Sequence, residues 1–167
     1  MAGLITSNTL LKQAEGQIEQ RLKGGVRESY MKIVVAGMKY ALKDGPKSIL
    51  AQLKDSQDPI TDVVKGAIGI VGLLRRAAKG SMPIDALIPA AMVLVLQGLD
   101  QAEKFGLLKV GKPEIDQATQ LFVETLLPQL GLTPEKLAQM NGRVQKLMAD
   151  PEQMAKLRVS DTPQQGA

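Results

Sequence analysis

The fold is decided by two apolar stretches, VVKGAIGIVGLL at Val63–Leu74 and ALIPAAMVLVL at Ala86–Leu96. Each follows shortly after a proline, Pro59 or Pro83, and proline suits the first turn of a helix. We therefore predict a helical hairpin over residues 59–104. Because polar side chains are almost absent from both stretches, much of the hairpin surface must be hidden from water.

The rest of the chain also has helical periodicity. Apolar residues recur three or four positions apart, the spacing of one helix face, and Gly or Asp-Pro pairs separate the segments. The predicted helices outside the hairpin are 8–23, ended by Gly24-Gly25, then 26–43, 47–54 and 113–131, with two more that start at Thr133 and Asp150. No segment alternates as a strand does.

These segments predict an all-α protein, a compact bundle of about six or seven helices around the apolar hairpin. A chain of 167 residues is long enough for one domain with its own core. We assign 1–158 to a single helical domain and 159–167 to a polar tail.

Composition excludes several kinds of chemistry. The chain has no cysteine and no histidine, so disulfides, thiol catalysis, the usual near-neutral base and the commonest zinc ligands are excluded. Aromatic residues make up 2% of the chain, too few to stack the bases of a single-stranded nucleic acid. The net charge is +4, and residues 1–54 hold nine Lys/Arg against four Asp/Glu. We expect a protein that is not an enzyme.

One segment resembles a phosphate-binding loop in its spacing. Gly106, Gly111 and Lys112 match that pattern, but Pro113 stands where the magnesium-binding Ser or Thr belongs, and no strand precedes it. The acidic residues lie where helix starts need them, for example Asp58. We expect no catalytic residues, no metal, no cofactor and no small-molecule substrate.

Three glycines recur every third residue in the first hairpin helix, at Gly66, Gly69 and Gly72. Each costs roughly 1 kcal/mol of helix stability relative to alanine. We therefore predict that they form a groove in which another helix packs closely, either within the chain or from a partner.

Arg75, Arg76 and Lys79 follow this groove, and they allow two interpretations. Cations in the last turn of a helix are stabilised by the helix dipole. They could also contact phosphates, of lipid headgroups or, without sequence specificity, of nucleic acid.

The hairpin has two interpretations as well. It is either the core of a soluble bundle or an amphitropic element that enters a membrane. No uninterrupted apolar run reaches the roughly 18 residues of a transmembrane helix, and the N-terminus lacks the pattern of a signal peptide.

The texture of Ile33–Met38 (IVVAGM) and Ala67–Leu74 (AIGIVGLL), together with the polar C-terminal end, resembles the small virion proteins of tailed bacteriophages. The likeness is to the internal or ejection proteins of podophages, and it covers chiefly residues 33–105. It implies a protein packaged inside the particle, which later reaches the host cell envelope and helps to form a conduit for DNA. It transfers no site residues.

We therefore expect a structural and assembly protein that forms homo-oligomers, contacts other virion proteins and touches a membrane through 59–104. The alternative is a soluble, cytoplasmic adaptor whose glycine groove binds a partner helix. Liposome flotation separates these two hypotheses.

Overall fold

The computed structural model describes residues 8–45 and 48–131, and all regular structure within them is helical. The helices are α1 (Thr9–Gln20), α2 (Gly24–Leu42), α3 (Ile49–Gln52), α4 (Pro59–Ala77), α5 (Ile84–Lys104) and α6 (Lys112–Gln129), with a 3-10 turn at Leu53–Asp55. This confirms the prediction of an all-α multi-helix bundle. The helices predicted after Thr133 and Asp150, and the tail at 159–167, lie outside the described residues.

The internal contacts of the chain separate it into two units, Met1–Phe122 and Val123–Ala167. The first unit contains α1–α5 and the beginning of α6. In the second unit the structure describes residues 123–131, which hold the end of α6. The assignment of 1–158 to one domain stays a prediction.

The centre of the first unit is α5. Every residue from Ala90 to Gln97 is buried, and α1, α2 and α4 all pack against this helix. α4 contributes a buried face that includes Val64, Ile68 and Val71. The apolar hairpin formed by α4 and α5 is therefore covered within the chain, mainly by α2 and α1.

α2 buries the face that its periodicity predicted, namely Tyr30, Ile33, Val34, Gly37 and Ala41. The break before α2 differs from the prediction. α1 ends at Gln20, residues 21–23 form the connection, and Gly24 already belongs to the first turn of α2. The turn after α1 is closed by backbone hydrogen bonds from Arg21 and Leu22, so the chain leaves the first helix before it reaches the glycines.

The ends of α4 have the predicted caps. Asp58 accepts a hydrogen bond from the backbone N–H of Thr61 at 3.3 Å, and Pro59 occupies the first turn. At the other end Gly80 has φ +74°, a conformation that favours glycine, and its N–H donates to the carbonyl of Arg75 at 3.0 Å. These caps fix the length of α4 and the position of the turn into α5.

A polar cluster fastens the start of α1 to the end of α5. The Asn8 side-chain amide donates to both carboxylate oxygens of Glu103 and to the carbonyl of Val110 at 2.9 Å. The N–H of Val110 donates to Glu103 at 2.6 Å. Since these groups satisfy one another, we assign the cluster a structural role.

Candidate functional site: the outward side of α4

α4 is amphipathic. Its outward side includes glycines, which have no side chain, and it carries charged residues near both ends of the helix. The exposed positions recur at helical spacing and include Asp62, Lys65, Gly69, Leu73 and Arg76. Leu73 is 37% exposed, although leucine is among the residue types that are most often buried. Among the described residues, nothing covers Leu73 or the backbone at Gly69 on this side of α4.

The predicted glycine groove is only partly occupied within the chain. A Cβ added at Gly66 would lie 3.7 Å from the Cγ2 atom of Ile49, an ordinary contact with α3. At Gly69 and Gly72 a Cβ would meet no heavy atom within 4 Å. No helix among the described residues packs closely there, so any close packing at these two glycines needs a partner.

Close helix contacts occur instead at two glycines that the sequence analysis did not assign to a groove. A Cβ at Gly37 would lie 2.6 Å from the Cδ1 atom of Leu94, and a Cβ at Gly98 would lie 2.6 Å from the Cγ1 atom of Val63. These glycines let α2 and α4 approach α5. The signal that could have identified them is a glycine placed on the apolar face of a helix, between large side chains.

Ile49 extends the uncovered surface beyond α4. It is 41% exposed, and it touches the position that a Cβ at Gly66 would occupy. We call the resulting surface the α4 strip: Ile49, Gly66, Gly69, Gly72 and Leu73. On a helix that rises 1.5 Å per residue, the part from Gly66 to Leu73 is about 10 Å long, which is enough for a crossing helix.

The C-terminal end of α4 carries the predicted cations, which we call the basic end: Arg75, Arg76 and Lys79. Arg75 is half-buried, whereas the other two residues are exposed. None of the salt bridges found among residues 8–45 and 48–131 involves them. Arg75 and Arg76 lie in the last turn of α4, where the helix dipole stabilises them, whereas Lys79 lies beyond the end of the helix at Ala77. The exposure of Arg76 and Lys79 leaves their charges accessible to a partner.

In the loop whose glycine spacing resembles a phosphate-binding loop, a backbone N–H group is hydrogen-bonded to a side chain of the protein. The N–H of Gly111 donates to the Glu114 carboxylate at 2.8 Å, so a group that a phosphate would need is already bonded. Among the described residues there is no cluster of acidic side chains that could hold a metal ion. The hydrogen bond at Gly111 therefore argues against phosphate binding by this loop.

α5 is long and apolar enough to cross a membrane by length and composition, and 67% of its most apolar window is buried in the protein. A buried core helix has the same length and composition, so this property alone is weak evidence for a membrane segment. The burial favours the interpretation of the hairpin as a core.

No family model matches the chain, and no curated protein or solved structure gives a significant match. Arguments about function therefore depend on the α4 strip, the basic end and the core beneath them.

Proposed function

We propose that this chain is a non-enzymatic structural and assembly protein that pairs with a second copy of itself through the α4 strip. The observation that carries this proposal is the uncovered surface around Gly69 and Gly72, bordered by the exposed Leu73. Removal of such apolar surface from water contributes to association, and glycines permit helices to approach closely.

The charges at the two ends of α4 favour an antiparallel pair. If two copies of α4 cross at Gly69 about a twofold axis, each residue faces its counterpart reflected through position 69. Asp62 of one copy then lies beside Arg76 of the other, and Gly66 lies beside Gly72. Asp62 and Arg76 are both exposed, so the two ion pairs can form at the rim of the interface.

A charge-reversal experiment tests this arrangement. Asp62→Arg and Arg76→Asp should each weaken the dimer, because each single change puts like charges together at both ends of the pair. The double variant should restore the dimer, since it exchanges the two charges. Sedimentation equilibrium measures the dissociation constants. Failure of the double variant to recover affinity would exclude the antiparallel pair.

Leu73→Glu tests the apolar part of the strip, and Leu42→Glu is its matched control. Leu42 is 54% exposed, more than Leu73, and it lies at the end of α2 outside the strip. We expect only Leu73→Glu to weaken association, by at least tenfold. Equal effects of the two changes would mean that the strip is not the contact surface.

The biological setting that we propose is the particle of a tailed bacteriophage, on the sequence resemblance alone. There the chain would lie inside the virion with other virion proteins, and on infection it would reach the host envelope. The basic end would contact the phosphates of membrane lipids or of nucleic acid. Mass spectrometry of purified particles tests this setting, and absence of the chain from the particles would contradict it.

The second candidate function is the adaptor, in which the α4 strip binds a helix of another protein. Burial of the hairpin core favours it, because the chain then needs no rearrangement to present the strip. A wild-type chain that stays monomeric at high concentration would favour the adaptor over the self-associating protein.

A further inference from the structure

A small cavity lies beneath α3, between α2, α4 and α5. It has a volume of about 60 Å³ and is partly open to solvent. Apolar side chains form most of its wall, among them Met38, Leu53, Ile70 and Leu94. A cavity of about 150 Å³ holds a benzene molecule, and one water needs roughly 10–15 Å³, so this cavity suits a ligand smaller than benzene.

One polar side chain in this wall has unmet hydrogen-bonding capacity. Gln97 lines the cavity and is 7% exposed, and neither its side-chain nitrogen nor its side-chain oxygen has a partner. A buried amide without partners is unfavourable, and such groups in folded proteins are nearly always paired. The last torsion of a glutamine side chain is soft, so the amide can present either its nitrogen or its oxygen to a ligand.

From this combination we infer that the cavity binds a small neutral carboxamide whose short aliphatic part fills the apolar wall. A carboxamide donates and accepts, so it can form two reciprocal hydrogen bonds with the Gln97 amide. The sequence offered no sign of this site, because Gln97 is one of several polar residues toward the end of α5.

The charges around the cavity favour a neutral ligand over an anion. The only charged residue among the described lining residues is Asp62, whose carboxylate accepts a hydrogen bond from the Ser56 hydroxyl at 2.5 Å. No lysine or arginine lines this part of the wall. A carboxylate ligand would therefore lose its hydration without gaining a cation, and Asp62 would repel it.

Propionamide is a suitable probe, with propionate as the charged comparison and xenon as the apolar one. Titration of the full chain is followed by the NMR signals of the Gln97 side-chain NH₂ group. We expect propionamide to shift these signals with a dissociation constant on the order of 1–10 mM, as suits so small a molecule. Propionate should have at least tenfold lower affinity.

Two matched substitutions show where the probe binds. Gly66→Leu adds a side chain at a residue that lines the cavity, whereas Gly69→Leu adds the same side chain three residues further on, where the structure leaves open space. We expect only Gly66→Leu to abolish propionamide binding. Gln97→Leu should weaken the binding at least tenfold and leave xenon binding in place.

Three results would overturn the inference. Xenon binding without propionamide binding would show an apolar void only. Equal propionamide affinity in wild type and Gln97→Leu would show that the Gln97 side chain does not contribute to binding of the ligand. Contact of the Gln97 NH₂ group with water alone, and no response to any probe, would mean that ordered water satisfies it. The wild-type titration needs no variant, so it decides the matter even if a substituted chain fails to fold.

Discussion

Alanine substitution should raise the free energy of unfolding at Gly69, lower it at Gly98 and leave it nearly unchanged at Gly37, because the added methyl group meets different surroundings at each site. Alanine gains roughly 1 kcal/mol over glycine inside a helix. At Gly69 the new Cβ meets open space within the single chain, so at dilutions where the chain is monomeric the whole gain should appear as increased stability. For a protein of this size, 1 kcal/mol corresponds to a rise in Tm of about 2–4 °C.

At Gly98 the packing cost should exceed that gain. The new Cβ would lie 2.6 Å from the Cγ1 atom and 3.3 Å from the Cγ2 atom of Val63. Valine is branched next to the backbone and has few alternative rotamers in a helix, so α4 and α5 would have to separate. Overpacking costs about 1–3 kcal/mol, which leaves a net loss of up to about 2 kcal/mol.

Gly37→Ala should fall between these two variants. The nearest atom is the Cδ1 atom of Leu94, at the far end of a flexible side chain that can rotate away. Its packing cost should roughly cancel the gain in helix stability, with a net change near zero.

Urea unfolding of the three variants, followed by circular dichroism, measures these differences. The expected order of stability is Gly69→Ala first, Gly37→Ala second and Gly98→Ala last. If Gly98→Ala were as stable as Gly69→Ala, the close contact between α4 and α5 would not exist in solution. Such a result would refute the packing described for the hairpin.

Two further predictions concern the basic end and Tyr30. Replacement of the three basic-end cations by glutamine should weaken binding to anionic vesicles by about 3 kcal/mol, roughly a hundredfold. A flotation assay measures this binding. If the wild-type chain did not float with the vesicles, the membrane role of these residues would be contradicted, and the helix dipole would explain them. Burial raises the pKa of Tyr30 above its usual value of 10.0, and the nearby carboxylates of Glu19 and Glu15 act in the same direction. The unfolded chain therefore loses this proton first, and stability that is present below pH 10 should decline by about 1.4 kcal/mol per pH unit above it. Tyr30→Phe should remove this part of the decline in urea titrations at pH 9 to 11, and a pH profile identical to that of the wild type would contradict the assignment.

The helices could be predicted because their signals are local. The stripe of Tyr30, Ile33 and Ala41 follows from spacing alone, and Asp58 with Pro59 marks the start of α4 without tertiary information. The capping conformation at Gly80 was likewise indicated by a glycine at the end of an apolar segment.

The packing partners could not be predicted, because they depend on which helix faces which. Gly66, Gly69 and Gly72 have the regular spacing of a groove, yet within residues 8–45 and 48–131 only Gly66 has another helix beside it. Gly98 is not part of a regular glycine spacing, but a Cβ there would lie 2.6 Å from the Cγ1 atom of Val63 in α4. A sequence shows where side chains are small, whereas the fold decides what fills the space beside them.

The unpaired amide of Gln97 was also invisible in the sequence. In the sequence, Gln97 and the polar residues that follow it, such as Asp100 and Glu103, indicated only that the end of α5 is more polar than its middle. The structure places Gln97 in the wall of a cavity that Ile49 and Leu50 of the four-residue helix α3 also line, an arrangement that local sequence signals do not encode.

Cross-linking at Gly69 tests the proposed pairing of α4 most directly. The chain has no cysteine, so Gly69→Cys introduces a single thiol at the point where the twofold axis would pass. Under mild oxidation we predict rapid formation of a disulfide-linked dimer, whereas Leu42→Cys, another exposed position, outside the strip, should cross-link slowly. Equal rates for the two variants, or no dimer from Gly69→Cys, would contradict the account.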